Sequence, residues 1–164
     1  MVRDQYTPPP SVRPVIDGQV RRASGSTIAI GDLYAALRLR AAVFVVEQDC
    51  PYLDPDGRDL EPSTRHLWLT GDDGTMASYV RVLTEPDGSL RIGRVVTDQA
   101  HRGLRLAEQL LESALVGVTE TVVLDAQSHL THVYERHGFA IDGDEFLDDG
   151  IPHTPMRRPP YDDH

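Results

Sequence analysis

Between Arg65 and Leu115 the apolar residues change period once, and that change limits the folds open to this chain. His66–Thr70, Thr75–Leu83 and Leu90–Thr97 are short runs with the length and composition of strands. Gly71-Asp72-Asp73-Gly74 and Glu85-Pro86-Asp87-Gly88 separate them, and both are tight-turn sequences. Three strands joined this way predict an antiparallel meander. From Leu104 the apolar positions become Leu104, Ala107, Leu110, Leu111, Ala114 and Leu115, the stripe of an amphipathic helix that Gly117 ends.

The flanking sequence extends the pattern. Asp32 is an expected N-cap for a helix over Leu33–Val46, whose Leu33, Leu37, Arg40 and Phe44 recur at helical spacing. A loop dense in Pro, Gly and carboxylates follows from Glu47 to Pro62. Thr121–Ala126 is a continuous apolar strand expected to be buried on both faces. A shorter helix over Leu130–His137 should stop at Gly138, with strands near Phe139–Ile141 and Ile151–Arg157. Residues 1–25, with Pro8-Pro9-Pro10 and little periodicity, predict a flexible or irregular N-terminal tail; residues 26–164 predict one domain, with Ser26–Ile30 as a short first strand. The expected fold class is α/β, with a mixed, mostly antiparallel central sheet flanked by helices.

Composition excludes several functions. Sixteen Lys and Arg against 26 Asp and Glu leave a formal charge of -10, which opposes binding to nucleic acid or to an anionic membrane surface. No apolar run approaches the roughly 20 residues that span a bilayer, and the N-terminus lacks the apolar stretch of a secretory signal. The lone Cys50 cannot form an internal disulfide. A cytoplasmic protein is expected.

The strand–turn–helix from Ile92 to Leu115 can carry chemistry. The first turn of a helix leaves N–H groups without partners, and the macrodipole adds positive potential there. Gly103 allows close approach of the backbone, and Arg102 and Arg105 add charge beside the same turn. The segment can hold a phosphate, although helix capping and solubility explain a Gly and two Arg equally well. Neither the Gly-Lys-Ser/Thr of a P-loop nor the G-x-G-x-x-G of a dinucleotide fold is present here. His129, His132 and His137 lack a ligating cysteine and predict no metal site, and Cys50 has no evident activating pair.

The stretch VVTDQAHRGLRLAEQLLESAL (Val95–Leu115) resembles motif A of the GNAT acyltransferases, with Arg102 at its first signature position, Ala107 at its last and Arg105 where glycine is usual. VYERHGF (Val133–Phe139) resembles motif B, and LYAALRLRAAVFVVEQDCPYLDPDGRDLEPSTRHLWL together with DDGIPHTPMR resembles the ElaA-like branch. The resemblance implies the GNAT fold and N-acetyl transfer, in which an amine attacks the thioester of acetyl-CoA within a ternary complex. It places the cofactor on Val95, Val96, Thr97, Arg102, Gly103, Leu104, Arg105, Leu106 and Ala107, with a backbone N–H of the strand holding the oxyanion. Tyr134 is the implied acid for the departing thiolate, and Glu47 the leading base. His66 and His153 are acceptor-side alternatives. The expected partner is a small-molecule or peptide amine, and the resemblance admits a homodimer. Competing expectations are a non-catalytic acyl-CoA-binding or sensory module, raised by Arg105, and an acyl-homoserine-lactone synthase.

Overall fold

Past Thr97 the chain leaves a sheet and from Leu106 lays a helix across it; Leu104, expected on the apolar stripe, lies in the turn before that helix and is exposed. The computed structural model describes residues 18–161, so most of the expected tail lies outside the described residues. The strands are β1 (Arg21–Ser24), β2 (Arg65–Thr70), β3 (Met76–Thr84), β4 (Leu90–Thr97), β5 (Val122–Gln127), β6 (Ala140–Ile141), β7 (Phe146–Asp148) and β8 (Ile151–Arg158). The helices are α1 (Ile30–Arg40), continued by a π-helical segment over Ala41–Glu47, then α2 (Leu106–Leu115) and α3 (Thr131–Glu135). The sheet runs β1-β2-β3-β4-β5-β8-β6, with β7 also paired to β8. Every pairing is antiparallel except β4 with β5.

Several boundaries differ from the sequence expectations. The first strand is Arg21–Ser24 rather than Ser26–Ile30, because these residues pair with β2 at the sheet edge. The chain turns directly afterwards, with Thr27 and Ile28 N–H both bonded to Ser24 C=O. The N-cap of α1 is Ala29 and Asp32 lies inside the first turn, where its charge suits the helix dipole. The buried stripe of α1 and the π-helical segment is Ala36, Leu39, Arg40 and Val43, so of the expected positions only Arg40 is fully buried. Strand β5 alternates, with Val122, Leu124 and Ala126 buried and Asp125 exposed, so only one of its faces joins the core.

Two apolar layers sandwich the sheet. On one face Leu67, Leu69, Val80, Val82 and Ile92 meet Leu106, Leu110, Leu111 and Ala114 of α2. On the other Trp68, Met76, Tyr79 and Val96 meet Ala36 and Leu39 of α1 and Val43 of the π-helical segment. Trp68 between Leu67 and Leu69 follows the period-2 rule. Ile92 and Val96 break it: they are four residues apart on one strand yet face opposite layers.

Candidate active site

That reversal of faces is caused by a β-bulge. Tyr79 pairs with Val96 and Arg81 with Gly93, so two residues of β4 oppose Val80 alone. Arg94 sits in the bulge with φ of 53°, a left-handed backbone that costs a non-glycine residue about 1–2 kcal/mol. The extra residue also flips which way the peptide groups point. Leu90 N–H bonds to Thr121 C=O on the β5 side, whereas Asp98 N–H bonds to Ala77 C=O on the β3 side. Regular alternation from Asp98 therefore turns the peptide groups of Val95 and Thr97 away from β3. Among the described residues no strand is there to meet them. Strands β4 and β5 pair only at Leu90–Val122 and Arg91–Val123, and then splay apart.

The splay opens a cleft of about 720 Å³, walled by β4 from Arg91 to Thr97, by β5, by the π-helical segment and its following loop, and by the β7–β8 hairpin. A smaller cleft of about 240 Å³ adjoins it over the start of α2 and shares Val95, Thr97, Arg102, Leu130 and Tyr134 with it. Gly103 (φ 84°), Arg105 and Ala107 line this second cleft. The first bond at this end of α2 is Gln109 N–H to Arg105 C=O at 3.1 Å, which leaves the N–H groups of Leu106, Ala107 and Glu108 as the free donors of the turn. Arg105 is the N-cap residue, at φ 56° and ψ 34°. It adopts the left-handed backbone that glycine adopts freely, so the departure from glycine preserves the turn. Its side chain is exposed and makes no ion pair among the described residues. Glu108, a carboxylate in the same first turn, is neutralised by Arg136. Leu106 points into the core, so only its backbone can serve a ligand.

Tyr134 stands where the two clefts meet. Its ring packs edge-on against Phe139 at 6.1 Å, and burial pushes its hydroxyl up to about 12. The phenol is thus protonated at neutral pH, and it makes no hydrogen bond among the described residues. Glu47 ends the π-helical segment and reaches across to Arg102, which donates from Nη1 to Oε1 at 2.5 Å and from Nη2 to Oε2 at 2.6 Å. The hydrogen bonds from Arg102 hold the Glu47 carboxyl below its ordinary value. The expected base and one of the two expected phosphate cations are therefore bound to each other.

His66 does not reach the cleft. It is fully buried, with Nδ1 2.6 Å from the Tyr79 hydroxyl and Nε2 2.8 Å from the Asp59 carbonyl, and burial lowers its pKa. This corrects its assignment as an acceptor-side residue: it is a core imidazole with both nitrogens engaged. His153 does line the cleft, stacked on Phe146 at 5.9 Å with Nδ1 donating to Ile151 C=O at 2.8 Å. Val96 contributes to the α1 layer through its side chain, and its carbonyl faces β3, where it accepts from the Ser78 hydroxyl. Buried Cys50 donates to the Asp149 carbonyl at 3.5 Å and joins two walls of the cleft.

Sequence reasoning missed the charged cluster behind the bulge. Arg40, fully buried, donates to Asp54 at 2.8 Å and to Asp59 at 2.6 Å. Arg81 donates to Asp59 at 3.0 Å and to Asp56 at 2.7 Å. Arg94 Nε lies 2.8 Å from Asp54 Oδ1, an ion-pair contact outside hydrogen-bond geometry, and its Nη2 donates to the Asp54 carbonyl at 3.1 Å. Tyr52, on the cleft wall, donates to Asp54 and lies beneath the Arg94 guanidinium. The spacing of the aspartates in a Pro- and Gly-rich loop reads as a solvated turn; only the buried arginines of α1 and β3 pull them inside. Among the described residues no group of three or more His, Cys, Asp and Glu is placed to hold a metal ion, and no helix is long and apolar enough to cross a membrane.

Comparison with known proteins agrees with this geometry. The family model of the acetyltransferase (GNAT) domain matches residues 54–159. A UPF0039 protein of Mycobacterium tuberculosis is 47% identical over 144 residues, covering 85% of this chain and 92% of that protein. The crystal structure of an acyl-CoA N-acyltransferase from Pseudomonas aeruginosa superposes with a TM-score of 0.80 at 41% identity, covering 85% of this chain and 98% of the other. Escherichia coli ElaA also superposes with a TM-score of 0.80, at 36% identity and over 88% and 99% of the two chains.

Proposed function

The chain belongs to the GNAT acetyltransferases, and on that footing we propose that it transfers an acetyl group from acetyl-CoA to a primary amine by direct attack in a ternary complex. The observation that carries the proposal is the unpaired edge of β4, which leads directly to the free N–H groups at the start of α2. An extended thioester arm can lie along that edge, with its pyrophosphate at the helix start. Its amides would pair with the peptide groups of Val95 and Thr97, and a backbone N–H of the same stretch would donate to the oxyanion.

The amine nitrogen attacks the thioester carbon, the C–S bond breaks, and the thiolate takes the proton of Tyr134. Burial keeps the phenol protonated at neutral pH, so a hydroxyl donor stands beside the departing thiolate, and the raised pKa makes complete transfer of its proton harder rather than easier. The proton released from the amine passes to Glu47. Arg102 occupies both oxygens of that carboxylate, so the ion pair opens for Glu47 to take the proton. His153, which lines the cleft, would contact the acceptor from the hairpin side. The acceptor is a small-molecule or peptide amine.

Two measurements test the reading. Calorimetry should show acetyl-CoA binding, and a thiol-release assay over amines, amino acids, polyamines and peptides should find turnover. Tyr134→Phe should lower turnover by about 10²–10⁴-fold with acetyl-CoA affinity retained. Turnover unchanged by that substitution removes Tyr134 from the mechanism.

A further inference from the structure

The Arg102 guanidinium has two sets of contacts. Beyond its bidentate bonds to Glu47, it donates to the Thr97 carbonyl from Nε at 3.4 Å and from Nη2 at 3.3 Å. Thr97 lies beyond the bulge, where regular alternation turns its peptide group to the open side of β4. Arg102 therefore covers the hydrogen-bonding edge that an extended thioester arm would use. Glu47 comes from the opposite wall, 55 residues away in sequence, and both residues line the larger cleft. Arg102 also borders the smaller cleft at the start of α2, beside the anion site.

We propose that Glu47 and Arg102 form a latch across the cleft that the acyl donor opens. The proposal rests on reading the cleft as an acyl-CoA site. A pantetheine amide and the Arg102 guanidinium compete for the same Thr97 carbonyl, and a pyrophosphate at the helix start offers Arg102 a second anion in exchange for Glu47. When Arg102 leaves, two things happen at once. The β4 edge becomes available to the thioester, and the Glu47 carboxylate loses its cation beside the position of the attacking nitrogen. The place vacated on Glu47 suits the ammonium group of a cationic amine. The latch is built to open: its side chains keep 43% and 33% of their exposure, and an ion pair so open to solvent holds weakly.

The test is a double-mutant cycle read by calorimetry with CoA as the ligand. Glu47→Gln should tighten CoA binding by about threefold to fivefold, the factor held by a well-formed exposed ion pair. In an Arg102→Ala background the same substitution should change the affinity by less than about 1.5-fold, within the scatter for uncoupled sites. An equal gain in both backgrounds means that removing one negative charge is the whole effect, and it overturns the latch. So does an affinity that Glu47→Gln leaves unchanged or weakens. A wild-type protein that binds no CoA instead defeats the donor site itself. Circular dichroism of each variant checks that it is folded. A crystal structure with CoA bound in which Arg102 still pairs with Glu47 and covers Thr97 also overturns the proposal.

Discussion

Asp59→Asn should be among the most destabilising single substitutions in this protein, although residue 59 lies in a loop. Its carboxylate accepts from Arg40 Nη1 at 2.6 Å and Nη2 at 3.3 Å, and from Arg81 Nη1 at 3.0 Å. The side chains of Arg40, Arg81 and Asp59 are 0%, 3% and 9% exposed, so solvent screens little of the interaction. Behind the bulge the cluster holds three arginines (40, 81 and 94) against three aspartates (54, 56 and 59) and is neutral. Asparagine leaves it with one uncompensated buried guanidinium, and breaking a buried pair from one side costs about 3–5 kcal/mol. With a urea m-value of about 2 kcal/mol/M for a domain of this size, the midpoint should fall by about 1.5–2.5 M. Removing Arg40 as well restores neutrality, so Arg40→Met with Asp59→Asn should be more stable than Asp59→Asn alone. A midpoint shift below about 0.5 M at unchanged m-value, or a double variant no more stable than the single one, would refute the charge balance.

Acid should act through the same cluster. Arg40 and Arg81 hold the Asp59 carboxyl below its ordinary value of 3.8 despite the opposing effect of burial, and Arg81 with the Arg58 N–H does the same for Asp56. Their contribution is complete above 3.8 and is lost as pH falls through their folded values. Burial sets His66 below 6.5, so the unfolded chain takes up that proton first, and stability should begin to decline below 6.5. Urea midpoints measured from pH 8 to pH 3 should therefore fall in two stages, and a midpoint that stays flat to pH 4 contradicts the neutral core imidazole. Arg105→Gly should raise stability by about 0.5–1 kcal/mol, since the left-handed strain removed exceeds the added freedom of the unfolded chain. The same change should weaken CoA binding by about twofold to fivefold through loss of a cation beside the helix start. A destabilised glycine variant would contradict the strain at residue 105.

Most of the sheet could be read from local pattern. The turns at Gly71–Gly74 and Glu85–Gly88 needed only neighbouring residues, and the structure places β2, β3 and β4 within one residue of expectation, whereas α2 starts at Leu106, four residues after the expected opening at Arg102. The free N–H groups at the start of α2 were legible for the same reason, because a helix start is a local property. What escaped were long-range effects. Strand β7 is a short run, Phe146–Asp148, that is a strand only because Ile151–Arg158 lies beside it. Arg40 reads as one more polar position on a helix until Asp54 and Asp59 fold beneath it. His66 carries no signal that separates a core imidazole from a catalytic one, since the difference is made by Tyr79, thirteen residues away. Motif resemblance brought Glu47 and Arg102 to the same site, but not to each other.

The bulge at Arg94 joins these long-range features into one device. A single extra residue in β4 sends Ile92 to the α2 layer and Val96 to the α1 layer. It also turns the peptide groups of Val95 and Thr97 to the side where β5 has diverged. A left-handed arginine is a costly way to make such a bend, and glycine would make it more easily. Arginine is favoured here because its side chain ties the bend to Asp54 and Asp56, which Arg40 and Arg81 tie in turn to α1 and β3. The cluster that stabilises the domain therefore also fixes the edge on which an acyl donor would lie. Loosening the cluster should disturb donor binding before it unfolds the chain, because the strained bend at Arg94 is tied through its side chain to those aspartates.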